Sequence, residues 1–185
     1  EGEILKSGTP RCDVLVNPSD NIKIKVCNFY GIDKDRKLVL YAPTFRSNEG
    51  DLLHGLSIDK LISSLESKYK GQWILLYRFH PNINKVININ DQRAINVTGY
   101  GDMQELIAAS DILITDYSSC MFDMAIAQKP CFIYAPDLDD YLKTDRKLYF
   151  NISELPFRIA STNEQLMKEI ASFDEELYRE RVKVF

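Results

Sequence analysis

A histidine locked by a proline, three scattered arginines and a pair of neighbouring serines are the residues of this chain best suited to handling an anion. His80 precedes Pro81, whose ring fixes the local backbone. Its imidazole could take a proton or stand as a cation beside a phosphate, and a plain loop role is the alternative. Arg46, Arg78 and Arg146 carry guanidinium forks, which suit paired phosphate oxygens better than lysine does. Ser118 and Ser119 stand where an apolar run meets a helical pattern. Two hydroxyls and free backbone N–H groups there would attract an anion, or one serine merely caps the helix. Asp102 and Asp116 either cap helices or bind ribose hydroxyls and tune His80. Asp123 follows Ser119 by one helical turn, where it could hold the serine or the helix end. His54 falls in a polar connection and reads as a loop residue.

Other chemistries find no residues here. Gly99-Tyr100-Gly101 lacks the third glycine of a dinucleotide fingerprint, and there is no Walker lysine pattern and no G-x-S-x-G. No His, Cys, Asp or Glu group has metal-ligand spacing, so no resident metal or other cofactor is expected. The sequence carries no signal for or against a Mg²⁺ ion accompanying a substrate.

The elements that must position these groups alternate along the chain. Lys37 to Ala42, Trp73 to Phe79, Ile112 to Thr115 and Cys131 to Tyr134 are short apolar runs of the kind buried on both faces of a parallel sheet. Between them Ile58, Leu61, Ile62, Leu65 and Tyr69 keep helical spacing behind Ser57, with Gly71 as a stop, and Met103, Leu106 and Ile107 do so behind Asp102. A third helix is expected from Ser118 or Ser119, carrying Met121, Phe122, Ala125 and Ile126 inward and ending before Pro130. Asn17 to Tyr30 satisfies both strand and helix periods and is assigned to helix through Ile22, Val26 and Phe29. Asn163 to Arg181 predicts one or two helices with Leu166, Ile170, Phe173 and Leu177 as the apolar stripe. The pattern is that of an α/β, doubly wound parallel sheet with right-handed crossovers. Ligands of such sheets lie beyond the carboxyl ends of the strands. Those ends carry Thr44 with Arg46, Arg78 with His80, the Gly99 to Asp102 turn, Asp116-Tyr117-Ser118-Ser119, and Asp137.

Composition bounds the partners. The chain has 185 residues with 23 Lys+Arg against 27 Asp+Glu, a net charge of −4, which argues against nucleic acid as a partner. No apolar run approaches the roughly 20 residues needed to span a bilayer. The 4 cysteines show no C-x-x-C spacing and predict a reduced, cytosolic protein. The sequons Asn96-Val97-Thr98 and Asn151-Ile152-Ser153 are patterns that chance supplies often. The chain opens at Glu1-Gly2-Glu3 with neither an initiator methionine nor a signal peptide, and is expected to be a piece of something longer.

The order of motifs resembles one family. Gly8-Thr9-Pro10-Arg11-Cys12-Asp13, Tyr41-Ala42-Pro43-Thr44-Phe45-Arg46, His80-Pro81, Asp102 to Leu106, Asp111 to Ser119 with Phe122-Asp123, Lys129-Pro130, Tyr134, Asp137, Tyr141, Arg146 and Tyr149 are similar to the CDP-glycerol:poly(glycerophosphate) glycerophosphotransferases, the teichoic acid primases and polymerases. Cys12, Lys147 and Pro156-Phe157 depart from the family pattern. The resemblance implies a GT-B-type enzyme of two Rossmann-like halves, with residues 1–185 as the C-terminal, donor-nucleotide-binding half and the N-terminal acceptor half outside this chain. It implies that Ser118 and Ser119 with Arg46 and Arg146 hold the CDP-glycerol pyrophosphate, that His80 is the essential histidine, and that Thr44, Arg78, Asp102, Asp116, Tyr117, Asp123 and Asp137 also line the substrate site. The implied partners are CDP-glycerol and a polyol-phosphate or lipid-linked acceptor at the cytoplasmic, inner face of the cell membrane, with membrane association through regions outside this chain. CDP-ribitol or a nucleotide sugar is the alternative donor, and a nucleotide-binding module without turnover the alternative role.

Overall fold

The computed structural model describes residues 8–44, 53, 55–80, 89–138, 140–141 and 151–185. Six parallel strands form one sheet, in chain order β1 (Lys37–Ala42), β2 (Trp73–Tyr77), β3 (Ala94–Asn96), β4 (Ile112–Thr115), β5 (Cys131–Tyr134) and β6 (Arg158–Ala160). Their spatial order is β3-β2-β1-β4-β5-β6. From β1 the chain winds outward through β2 and β3, then returns to the centre and winds the other way through β4, β5 and β6. The direction reverses between β1 and β4, and a crevice opens at such a point beyond the carboxyl ends of the strands.

The helices are α1 (Asp13–Val16), α2 (Asp20–Tyr30), α3 (Ile58–Tyr69), α4 (Met103–Ala109), α5 (Cys120–Ile126), α6 (Asn163–Ala171) and α7 (Glu175–Val184). They pack in two groups, α1, α2, α4 and α5 together and α3 against α6. Right-handed crossovers in opposite directions from the centre put those groups on opposite faces of the sheet. Both faces are therefore covered, which is why β1, β2, β4 and β5 are apolar and buried apart from a partly exposed Lys37 opening β1 and a buried Thr115 closing β4.

The register between the central strands is set by side chains as well as by the ladder. Ala42 pairs with Thr115, and the buried Thr115 hydroxyl donates to the Ala42 carbonyl at 2.6 Å. At the other end of the same pair, Asp111 accepts from the Leu38 amide at 2.8 Å and from Lys23 at 3.2 Å. Lys129, half-buried, closes the end of α4 by donating to the Ala108 and Ser110 carbonyls at 2.6 and 2.8 Å.

Strands β1, β4 and β5 have the bounds their apolar runs predict, and β2 stops at Tyr77 rather than Phe79. The segment before β1 is helical, from Asp20 to Tyr30 behind Ser19, whose hydroxyl accepts from Asn21 N. Phe29 is not on its buried face. It is 68% exposed and meets Tyr30 and Tyr100 edge-on. Two more expectations fail in the same way: Ile126 and Leu177 face outward, while Met124 and Tyr178 take the inward positions of their helices. The Asn163 to Arg181 segment is two helices with buried Phe173 in the turn between them.

Candidate functional site

Because all six strands run the same way, every strand exit lies along one edge of the sheet. Reading across that edge from β3 to β5 gives Tyr100, then Arg78 and His80, then Thr44, then Asp116 to Ser119, then Asp137. The predicted residues of the described part thus share the carboxyl edge. His80 and Ser118 leave strands two apart, a spacing of roughly 10 Å across the sheet. Arg46, Arg146 and His54 lie outside the described residues, so the two arginines expected to grip phosphate have no structural account here.

At the reversal point the edge is stitched by Asp116. This carboxylate is 2% exposed. It accepts from the Thr44 amide at 2.8 and 3.0 Å, from the Thr44 hydroxyl at 2.9 Å and from the Tyr117 amide at 2.6 Å. A buried carboxylate needs that many donors to offset its lost hydration. Asp116 was expected to cap a helix or bind a ribose; among the described residues it caps no helix, and it ties the exit of β1 to the exit of β4. Thr44 forms the other side of the same seam.

Ser118 and Ser119 lie on the turn into α5. The Ser118 hydroxyl accepts from the Cys120 amide at 3.4 Å, a local turn. Ser119 occupies the N-cap position in helical conformation and its side chain caps nothing; it is exposed. Helix α5 has 7 residues, so its dipole is a weak source of charge and the serine hydroxyls are what this turn offers a ligand.

Asp123 departs furthest from expectation. It does not hold Ser119. It is 5% exposed and forms a junction between three segments. Arg11 Nη2 lies 3.3 and 3.4 Å from its two oxygens, Gln104 Nε2 donates at 3.2 Å and Cys12 Sγ at 3.5 Å. Burial, then the neighbouring Asp123 carboxylate, pushes the Cys12 thiol above its ordinary range, which keeps it protonated and unreactive.

Two more of the expected site residues have structural partners. Asp102 caps α4, accepting from the Gln104 and Glu105 amides at 2.8 and 3.1 Å. Arg78 donates to the Tyr100 carbonyl at 2.7 Å and is half-buried, and burial lowers its pKa from the usual guanidinium range. It fastens the β2 exit to the β3 exit. His80, three residues beyond β2, is exposed on this edge. On the β5 side, Tyr117 donates to Asp137 at 3.0 Å and stacks on Tyr141 with ring centroids 3.8 Å apart.

Sequence reasoning assigned no role to Arg11, although it stood in the motif Gly8 to Asp13. The signal that could have found it is Asp123 itself, an acid between Phe122 and Met124 on an otherwise apolar helix face, because a carboxylate in that setting requires donors from elsewhere in the chain, and a cation is one way to supply them.

What the edge can do is bind an anionic ligand between an imidazole on one side and a serine pair on the other, above a floor fixed by Asp116. Comparison with known proteins identifies the family. A model of the CDP-glycerol:poly(glycerophosphate) glycerophosphotransferase family matches residues 1–185. The teichoic acid poly(glycerol phosphate) polymerase of Staphylococcus epidermidis is 36% identical over 196 residues, covering 100% of this chain and 27% of the polymerase. The teichoic acid ribitol-phosphate primase of Bacillus spizizenii is 34% identical over 194 residues, covering 100% of this chain and 48% of the primase. A solved structure of the wall teichoic acid polymerase TagF superposes with a TM-score of 0.80 at 33% identity, over 98% of this chain and 46% of TagF. The chain spans less than half the length of each of these proteins, and it belongs to the CDP-glycerol:poly(glycerophosphate) glycerophosphotransferase family.

Proposed function

We propose that this chain is the donor-nucleotide-binding half of a GT-B-type enzyme that moves glycerol phosphate from CDP-glycerol to the terminal hydroxyl of a polyol-phosphate chain, releasing CMP. The observation that carries the reading is the gathering of His80, Thr44 and the Ser118-Ser119 turn along the carboxyl edge, at the reversal of strand order, in a member of this family. In the reaction the acceptor oxygen forms a bond to the phosphorus nearer glycerol. The bond from that phosphorus to the bridging oxygen breaks, and CMP departs with its electron pair. Charge grows on the CMP phosphate, so donors fixed beforehand around it lower the barrier. The serine hydroxyls stand in that position. His80 either takes the acceptor proton or stays charged beside the leaving phosphate; a rate that rises through the imidazole pKa marks the base and one that falls marks the cation.

The acceptor in this reading is a polyol-phosphate or lipid-linked chain at the inner face of the cell membrane, with membrane contact made outside these 185 residues. Among the described residues no helix is long and apolar enough to cross a membrane. The similarity to a ribitol-phosphate primase favours CDP-ribitol as the second reading of the donor. Thermal shift with CDP-glycerol, CDP-ribitol and UDP-sugars separates the donors. CDP-glycerol is expected to raise the Tm most, and stabilisation by a UDP-sugar alone overturns the assignment. In the full-length enzyme His80→Ala should abolish polymerisation with little change in CDP-glycerol affinity, and intact turnover removes His80 from the mechanism. The 185-residue chain by itself should bind donor without appreciable turnover.

A further inference from the structure

Arg11 is held against α5 by a carboxylate that cannot itself reach solvent. Asp123 is 5% exposed, whereas the Arg11 side chain is 56% exposed. A guanidinium carries five N–H donors, and at 3.3 and 3.4 Å the contact with Asp123 occupies one nitrogen at the long end of the hydrogen-bond range. More than half of the Arg11 side chain remains open to solvent. Asp123 stands four residues beyond Ser119, so their Cβ atoms lie about 6 Å apart on one face of the chain. Arg11 therefore meets α5 one turn from the serine hydroxyls, on the side of α4, whose Gln104 shares the same carboxylate. The buried carboxylate fixes the position of a cation whose outer donors remain available, which is the arrangement that serves a phosphate ligand with little ordering cost on binding.

We infer that Arg11 is a phosphate-binding residue of the donor site, held in position by Asp123. The inference rests on the donor reading above and adds to it a residue from a segment that precedes the first strand. It also assigns Asp123 an indirect part: the acid orients the arginine and does not touch the donor.

Calorimetric titration of the chain with CDP-glycerol at two salt concentrations tests it, using Arg11→Lys and the double variant Arg11→Gln/Asp123→Asn, which removes both charges together. Arg11→Lys keeps a cation opposite Asp123 but loses the fork, and should weaken binding about tenfold; the double variant should weaken it by about tenfold to a hundredfold and reduce the dependence on salt. If the double variant keeps the parent Tm, affinity and salt dependence, Arg11 is only the counter-ion of Asp123 and the inference is overturned. Where the double variant fails to fold, Arg11→Lys decides, and parental affinity there overturns it as well. Failure of the donor reading looks different, because the parent chain itself then gives no heat with CDP-glycerol.

Discussion

Two buried aspartates follow β4 within eight residues of each other, and they are satisfied in opposite ways. Among the described residues Asp116 accepts from neutral donors, two backbone amides and one hydroxyl, at the exits of β1 and β4. Asp123 has an arginine and a thiol from neighbouring residues ahead of α1 and a carboxamide from α4. The first arrangement immobilises backbone: its donors cannot swing away, so the carboxylate fixes the gap between two loops. The second immobilises a side chain and leaves it a route to water. Of two acids that look alike in the sequence, one builds the floor of the edge and the other aims a charge along it.

Removing each carboxylate tests the contrast. Asp116→Ala leaves the Thr44 amide, the Thr44 hydroxyl and the Tyr117 amide short of an acceptor in a buried seam, and should cost about 3 kcal/mol at roughly 1 kcal/mol for each donor. Urea denaturation measures it, and a loss below about 1 kcal/mol would show that the seam holds without the acid. Asp123→Ala should cost less, about 1–2 kcal/mol, because Arg11 returns to solvent instead of remaining as a buried charge. If the order is reversed, Asp123 is the structural centre and Asp116 the dispensable partner.

The sheet was legible where burial on both faces makes a strand uniformly apolar. Lys37 to Ala42, Ile112 to Thr115 and Cys131 to Tyr134 are such runs. Ala94–Asn96 and Arg158–Ala160 escaped notice because they are three-residue edge strands, half-exposed for the most part and too short to show a period. For the site, the rule that ligands gather at strand exits placed His80, Thr44, Ser118 and Ser119 on one edge. It could not tell which polar groups point into the crevice and which are consumed in building it. Arg78 illustrates the difficulty. A guanidinium two residues before a histidine reads as a phosphate ligand, and nothing near it in the sequence shows that one of its donors goes to the Tyr100 carbonyl, 22 residues away in the chain. Long-range partners of that kind carry no local sequence signal. Helical period has a similar limit: it placed Val26 inward as found, but it also put Phe29 and Leu177 inward, where Cys27 and Tyr178 are the buried residues.

A third acid, partly exposed, extends the comparison. Glu105 accepts from Lys25 at 2.6 and 2.8 Å and from the Tyr100 hydroxyl at 2.5 Å, and the ammonium first, then the hydroxyl, hold its pKa below the ordinary 4.5. A folded-state pKa below the unfolded one means that the unfolded chain binds the proton more readily. The pair therefore contributes its full stability above about 4.5 and loses it as pH falls through the folded-state value. Lys25 is 61% exposed, so solvent screens the attraction, and the contribution should stay below about 1 kcal/mol. Urea titrations of the parent and Glu105→Gln from neutral pH into acid should run parallel above that pH and converge below it. Curves that stay parallel throughout would mean that the Lys25 contact has no bearing on stability, and that the electrostatic work of this face is confined to the two buried acids.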